Sequence, residues 1–180
     1  MTIAIIQARL TSTRLPGKVM EKIGNDTMLN RIVDIVSPLW GIDLTVVAAP
    51  HEIQTKAPVF IGSEEDVLDR YYQCAKHYKA DTIVRITADC PMLDPEIISF
   101  ALTYFALRKF PYIHIAPVDG LDVEIFSMEI LEEAWKNTNN TTDKNDREHV
   151  TPYMKRATKL SVDTKEELEK VRKLVNEVVR

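Results

Sequence analysis

Short apolar runs of strand length alternate with longer amphipathic stretches along the whole chain, and that alternation constrains the fold most. Residues 3–6 and 44–48 read as buried strands. Residues 58–61, 82–86 and 112–115 are further strand candidates. Residues 122–126 alternate in polarity and end at a turn, and 160–162 look like a last short strand. Between them lie helices with readable starts. Residues 27–37 set Met28, Leu29, Ile32, Val33 and Val36 on one face. Ser63 reads as the cap of a helix carrying Val67, Leu68, Tyr71, Tyr72, Ala75 and Tyr78, with Asp66 completing an acidic capping box. Asp94 followed by Pro95 is a cap and a first-turn proline, ahead of Ile97, Ile98, Ala101, Leu102 and Phe105. Ser127 opens a helix with Ile130, Leu131, Ala134 and Trp135. Thr164 and Glu167 form a capping box for a last helix facing inward through Leu168, Val171, Leu174, Val175 and Val178. Strands alternating with helices imply a mostly parallel sheet covered on both faces. The expectation is one three-layer α/β/α domain over residues 1–180.

At 180 residues the chain can bury one sizeable core. Its 45% apolar and 28% charged content excludes a disordered chain, a collagen-like repeat and a coiled-coil rod. No internal repeat or low-complexity tract interrupts it. No run approaches the roughly 20 apolar residues that span a bilayer, so membrane insertion is not expected. The start, MTIAIIQARL, shows no signal-peptide pattern and reads as a first strand, which suggests a cytoplasmic protein. A net charge of −4 argues against bulk electrostatic binding of nucleic acid. Cys74 and Cys90 suggest neither a disulfide framework nor a zinc site, and the four histidines lack metal-ligand spacing. The polar segment 137–147 reads as an exposed loop.

In open α/β sheets ligands bind beyond the carboxyl ends of the strands. The loop after the first strand holds Arg9, Arg14 and Lys18, with Ser12 and Thr13 beside them and a turn at Gly17. The first twenty residues contain no acid at all. Such a loop suits a polyphosphate, since arginine offers forked donors and lysine a point charge. A solvated basic loop is the competing reading. Neither GxxxxGK[ST] nor GxGxxG is present, so a P-loop kinase and a Rossmann dehydrogenase are disfavoured. Asp89 follows the strand at 82–86, and Asp163 follows 160–162. Carboxylates opposite a triphosphate call for a cation between them, and magnesium favours one or two carboxylates plus substrate phosphates. The plainer readings are a turn-stabilising Asp89 and a helix-capping Asp163. Asp122 and Glu124 share one strand face, and residues 147–152 gather Arg147, Glu148 and His149; either segment can face a polar substrate.

Taken in order, QARLTSTRLPGK, GSEEDVLDRYY, RITADCPMLDP, GLDVEIFS, REHVTPY and VDTKEELEKVR resemble the cytidylyltransferase-like proteins of surface-polysaccharide biosynthesis. The likeness is above all to the spore coat polysaccharide SpsF type, and more distantly to acylneuraminate cytidylyltransferases and CMP-Kdo synthetases. The resemblance implies a nucleotide-diphosphosugar transferase (Rossmann-like) fold with a mixed, mostly parallel seven-stranded sheet. It implies transfer of CMP from CTP to a sugar or sugar-acid hydroxyl, with release of pyrophosphate. By the same resemblance Arg9 and Lys18 hold the triphosphate, with Ser12 and Arg14 in the same motif. The backbone near Ala8 and Thr87 would read the base. Asp89 and Asp163 would be ligands to Mg2+, and Asp122, Glu124 and His149 would face the acceptor. His149 is the candidate general base. The chain departs from the type in VDTKEEL for VDTPEDL and in three short connections, 50–58, 112–120 and 153–161. Relatives often build the acceptor pocket and a homodimer contact in the last of these. Two rival readings stay open. One is a glycosyltransferase of the same fold with a nucleotide-sugar donor, although no Asp-x-Asp motif is present. The other is a shortened relative that binds nucleotide without catalysis.

Overall fold

The first strand, β1 (Thr2–Gln7), is the axis on which the chain reverses its direction of winding. The structure, a computed structural model, describes residues 1–12, 14–139 and 144–178, with side chains in the last stretch as far as Lys173. After β1 come a two-strand ribbon, β2 (Lys22–Ile23) and β3 (Asp26–Thr27), then α1 (Met28–Val36), β4 (Leu44–Ala49) and β5 (Val59–Ile61). The chain then crosses back through α2 (Val67–His77) to β6 (Thr82–Thr87), α3 (Pro95–Arg108), β7 (Tyr112–Ile115) and β8 (Val123–Ser127). Four helices close the fold: α4 (Met128–Asn137), α5 (Lys144–His149), α6 (Pro152–Ala157) and α7 (Lys165–Val178). The main sheet runs β5-β4-β1-β6-β8-β7. Its first four strands are parallel, and β8 is antiparallel to both β6 and β7. Winding goes outward from β1 to β5, then resumes at β6 on the other side of β1. The switch point therefore lies between the carboxyl ends of β1 and β6.

The two-residue period of the strands feeds two cores. Ala4, Ile6, Val84 and Ile86 pack with Leu29, Ile32 and Val36 of α1 and with Ile98 and Ala101 of α3. Ile3, Ile5 and Ile83 point the other way, toward Leu68, Tyr71 and Ala75 of α2 and Leu131 and Ala134 of α4. Each fully buried Leu or Ile contributes roughly 1.5–3 kcal/mol. The layers are thus α/β/α, as the alternation implies. Among the described residues no helix is long and apolar enough to cross a membrane.

Four expectations are corrected. The main sheet has six strands among the described residues, not seven, because residues 160–162 form no strand. Leu160 and Val162 are exposed, and Lys170 Nζ reaches back to the carbonyls of Ala157 and Lys159, holding this stretch as a bend. Ser63 does not cap α2. Its Oγ accepts from Asp66 N, and Asp66 is itself the cap, accepting from Asp69 N. The segment 137–147 is not loop throughout: residues 144–147 belong to α5, fixed by ion pairs from Arg147 to Asp66 and from Arg156 to Asp146. The Thr164–Glu167 capping box does form, but no α7 side chain is fully buried among those described. Thr13 and the side chains of Leu174, Val175 and Val178 lie outside the described residues.

Candidate active site

Gln7 and Thr87 are register partners at the carboxyl ends of β1 and β6. The loops that leave them enclose a cleft of about 180 Å³, lined by Gln7, Arg9, Ser12, Arg14, Lys18 and Val19 on one side and Thr87, Ala88 and Asp89 on the other. The first loop closes through Gly17 N, which donates to the Leu10 carbonyl at 2.9 Å. Gly17 has φ +68°, a left-handed conformation that suits glycine. This turn sends the chain back so that Lys18 faces Asp89. Lys18 Nζ donates to Asp89 Oδ2 at 2.6 Å. Burial opposes ionisation of Asp89, but the hydrogen bond and charge of Lys18 outweigh it and hold the carboxyl below its usual range. Arg9 and Arg14 are exposed and, among the described residues, have no ion-pair partner. Three cations thus face one carboxylate, an arrangement that favours a polyanion. Ala8 sits between Gln7 and Arg9, which both line the cleft. It is buried, its N–H donates to the Ala48 carbonyl at 3.1 Å, and it does not line the cleft. The β1 ladder continues one step further than the strand's last residue and takes up that amide.

A second cleft, of about 430 Å³, adjoins the first and shares Thr87 with it. Arg85, His114, Asp122, Glu124, Asn145, His149, Thr151 and Lys155 supply its polar wall. Asp122 and Glu124 therefore do meet His149, which lies far along the sequence from both. Sheet register builds the floor. Arg85 on β6 and His114 on β7 both lie opposite Glu124 on β8. Glu124 is buried and saturated with donors. Arg85 pairs with it, Tyr112 Oη donates at 2.7 Å, Thr151 Oγ1 at 2.9 Å, and Lys155 Nζ lies 3.1 Å away. Burial alone would raise its pKa, but Arg85, Tyr112 and Lys155 together push it down to about 2. Such a carboxylate positions its neighbours and is a poor proton acceptor. Arg85 Nη2 also donates to Gln7 Oε1 at 3.3 Å, which ties the floor of the second cleft to the wall of the first.

His114 Nε2 lies 3.3 Å from Asp122 Oδ1 in this second cleft. His149 also lines it, from the end of α5. Asp163 lines neither cleft. It is exposed, and Lys159 Nζ donates to its Oδ2 at 2.6 Å. With no strand at 160–162, nothing carries this residue to the carboxyl edge of the sheet beside Asp89.

Residues 3–179 match the family model described as cytidylyltransferase. The chain belongs to the cytidylyltransferase family. This cytidylyltransferase-family chain is 38% identical over 163 residues to an uncharacterized protein of Methanocaldococcus jannaschii, covering 84% of the chain and 66% of that relative. It is 29% identical over 205 residues to the spore coat polysaccharide biosynthesis protein SpsF of Bacillus subtilis, covering 94% and 84%. A 3-deoxy-manno-octulosonate cytidylyltransferase of Solibacter usitatus matches at 33% over 108 residues, 56% of the chain and 43% of that enzyme. The chain thus spans just under two thirds of the first relative and less than half of the third. Among solved structures, a cytidylyltransferase from Leptospira borgpetersenii superposes with a TM-score of 0.76 at 27% identity, covering 93% of this chain and 83% of that one. A CMP-2-keto-3-deoxy-manno-octonic acid synthetase superposes at 0.68 and 18% identity, with 98% of both chains covered, and shares the fold.

The donor set sets terms for a metal in this family member. Asp89 is the one carboxylate among the residues lining the first cleft. Among the described residues no group of three or more His, Cys, Asp or Glu side chains is placed to hold a metal ion. Asp89 fits magnesium only where substrate phosphates supply further ligands, which is how magnesium is commonly held beside nucleotides. The sequence singled out Asp122, Glu124 and His149 but passed over Arg85, His114, Thr151 and Lys155. Only their strand register and the packing of α6 bring these to the cleft.

Proposed function

We propose that this chain transfers the CMP unit of CTP to a hydroxyl of a sugar or sugar acid in polysaccharide synthesis. The observation that carries this reading is the cleft at the β1–β6 switch point, where Arg9, Arg14 and Lys18 face Asp89 beside a second, polar cleft. Family membership and the names of the SpsF and octulosonate relatives favour the same chemistry. Arg9 and Arg14 would bind the phosphate oxygens, with Ser12 beside them. Lys18 would turn from Asp89 toward the phosphates, and Asp89 would hold magnesium with them. Magnesium bound there supplies charge neutralisation at the phosphates. Arg85, Asp122, Thr151, Lys155 and His149 would orient the acceptor. The acceptor hydroxyl oxygen then attacks the α-phosphorus. A new P–O bond forms, the α–β bridging bond breaks, and pyrophosphate leaves with that electron pair. His114, held by Asp122, would take the hydroxyl proton. Most of the rate enhancement in such a site comes from position and charge.

The test is pyrophosphate release from CTP with magnesium across a panel of sugars and sugar acids. Release that depends on the acceptor is the expected result. Cleavage of a nucleotide-sugar without pyrophosphate, or CTP binding with no turnover on any acceptor, overturns the proposal.

A further inference from the structure

The two adjoining clefts are both polar, but they differ in charge. In the first, Arg9, Arg14 and Lys18 face a single carboxylate, Asp89. In the second, the lining cations are Arg85 and Lys155, and the lining carboxylates are Asp122 and Glu124. Its lysines, arginines and carboxylates therefore carry no net charge among the described residues. Both cations are engaged by one buried anion. Arg85 Nη1 donates to Glu124 Oε2, and Lys155 Nζ lies 3.1 Å from Glu124 Oε1. Asp122 is the anion that no lysine or arginine pairs with among the described residues, and 37% of its side-chain surface is exposed. Its Oδ1 lies 3.3 Å from His114 Nε2, and its Oδ2 accepts from Gly120 N at 3.2 Å. A carboxylate has about four lone-pair sites, so each oxygen keeps room for one more donor. Thr151 Oγ1 gives its one proton to Glu124 at 2.9 Å, so toward any ligand it can only accept.

We propose that the second cleft takes an uncharged polyol, a neutral sugar or alditol with adjacent hydroxyls, and disfavours sugar acids and sugar phosphates. This rests on the transferase reading of the same site and narrows its acceptor. Asp122 and Thr151 both need a proton from the ligand. A hydroxyl supplies one, whereas an ionised carboxylate or phosphate brings only further acceptors and repels Asp122. The two oxygens of Asp122, side by side, suit two neighbouring hydroxyls. Lys155 turned toward an anionic ligand would still leave Asp122 facing it. An anionic acceptor would also set its charge beside the triphosphate, since the clefts share Thr87, while the cations that face no carboxylate, Arg9 and Arg14, line the first cleft alone. In the transfer step the acceptor hydroxyl oxygen bonds to the α-phosphorus, the α–β bridging bond breaks, pyrophosphate leaves with that electron pair, and His114 takes the proton. No charge on the acceptor is needed for that chemistry.

Matched acceptors that differ only in charge test this. Pyrophosphate release from CTP with magnesium is measured for the full chain with aldoses and alditols, with the corresponding uronic and aldonic acids, and with the corresponding sugar phosphates. The neutral member of each set should have a kcat/KM about tenfold or more above its charged members, the scale of one unscreened like-charge contact. Asp122→Asn keeps the shape and removes the charge. It slows transfer to every acceptor because Asp122 also holds His114, so the readout is the ratio of neutral to acidic kcat/KM within the variant. That ratio should fall about tenfold. Charged acceptors that match or exceed their neutral partners in the wild type overturn the inference and leave the transferase reading standing. A ratio unmoved by Asp122→Asn overturns it as well. No pyrophosphate release with any acceptor overturns the transferase reading and this inference with it.

Discussion

Lys18 Nζ and Asp89 Oδ2 lie 2.6 Å apart, and this hydrogen bond joins the loop after β1 to the loop after β6 across the switch point of the sheet. The two residues are 71 positions apart in sequence. They meet because β1 and β6 are parallel neighbours in a register that aligns Gln7 with Thr87. Without substrate, each neutralises the other. On the proposed function, a triphosphate in the cleft would give Lys18 a stronger partner and free Asp89.

The first prediction concerns that pair. Asp89→Ala should lower pyrophosphate release by about 10²–10³-fold, the scale of losing one preorganised charge partner at a phosphoryl centre. Stability should barely change, because both side chains are partly exposed and such pairs contribute about 0–1 kcal/mol. Steady-state assays with thermal melts check both halves. Normal turnover by the variant removes Asp89 from the metal role.

Glu124 behaves in the opposite way, as a buried structural anion. Its folded pKa of about 2 lies below its ordinary 4.5. A depressed carboxyl contributes stability that is present above pH 4.5 and lost as the pH falls through the folded value. Glu124→Gln should therefore cost about 3 kcal/mol at neutral pH, since Arg85 stays buried without its counter-charge. The gap between variant and wild type should shrink as the pH falls below 4. Urea denaturation at the two pH values measures it. A pH-independent difference would mean packing, not charge, sets the cost.

Local signals in the sequence were enough for the layers. Alternation around Ile3–Ile6 and Thr82–Ile86 assigns both sheet faces, and the Thr164–Glu167 box is visible as a tetrapeptide. The basic loop was also legible, because Arg9, Arg14 and Lys18 fall within ten residues. Long-range pairing was not. Polar residues 144–147 are helical because Asp66 and Arg156 hold Arg147 and Asp146, and no periodicity within the segment records that. Arg85 sits in an apolar strand and reads as an interruption until register places Glu124 opposite it. The last strand failed for a related reason. Leu160 and Val162 have strand character but no neighbouring strand to pair with.

Asp163 separates the resemblance from the structure. The resemblance makes it a second magnesium ligand. In the fold its carboxylate is exposed and paired with Lys159, outside both clefts. Asp163→Ala should leave the magnesium dependence of pyrophosphate release within about twofold of wild type, since surface substitutions of this kind shift little. A loss comparable to that of Asp89→Ala would show that α7 and its preceding turn move onto the nucleotide.

Asp66 caps α2 and also binds Arg147, so it ties α5 to the start of α2. Asp66→Asn keeps a side-chain oxygen for the cap and removes the charge, whereas Asp66→Ala removes both. Alanine should cost about 1 kcal/mol more than asparagine, the usual worth of an N-cap. Both should raise the KM for the acceptor, because α5 carries Asn145 and His149 into the second cleft. Equal stability of the two variants would show that Asp66 acts through Arg147 alone.

The last prediction decides which imidazole takes the proton. Two histidines line the second cleft, and sequence reasoning favoured His149, within the motif REHVTPY. The structure gives only His114 a carboxylate partner among these two, with Nε2 3.3 Å from Asp122 Oδ1. A carboxylate beside an imidazole orients the ring, and a general base must be positioned in this way. His114 is also set by sheet register opposite Glu124, whereas His149 ends a six-residue helix. His114→Gln should therefore reduce kcat by about 10²-fold, the lower range for losing a general base. CTP binding should be unchanged, since His114 does not line the first cleft. His149→Gln should act chiefly on the acceptor KM. Asp122→Asn should reduce kcat in the same direction as His114→Gln, and the double variant should be little worse than either single one. Calorimetric CTP titration with steady-state kinetics on one acceptor separates these effects. A large kcat loss in His149→Gln with none in His114→Gln would reverse the assignment.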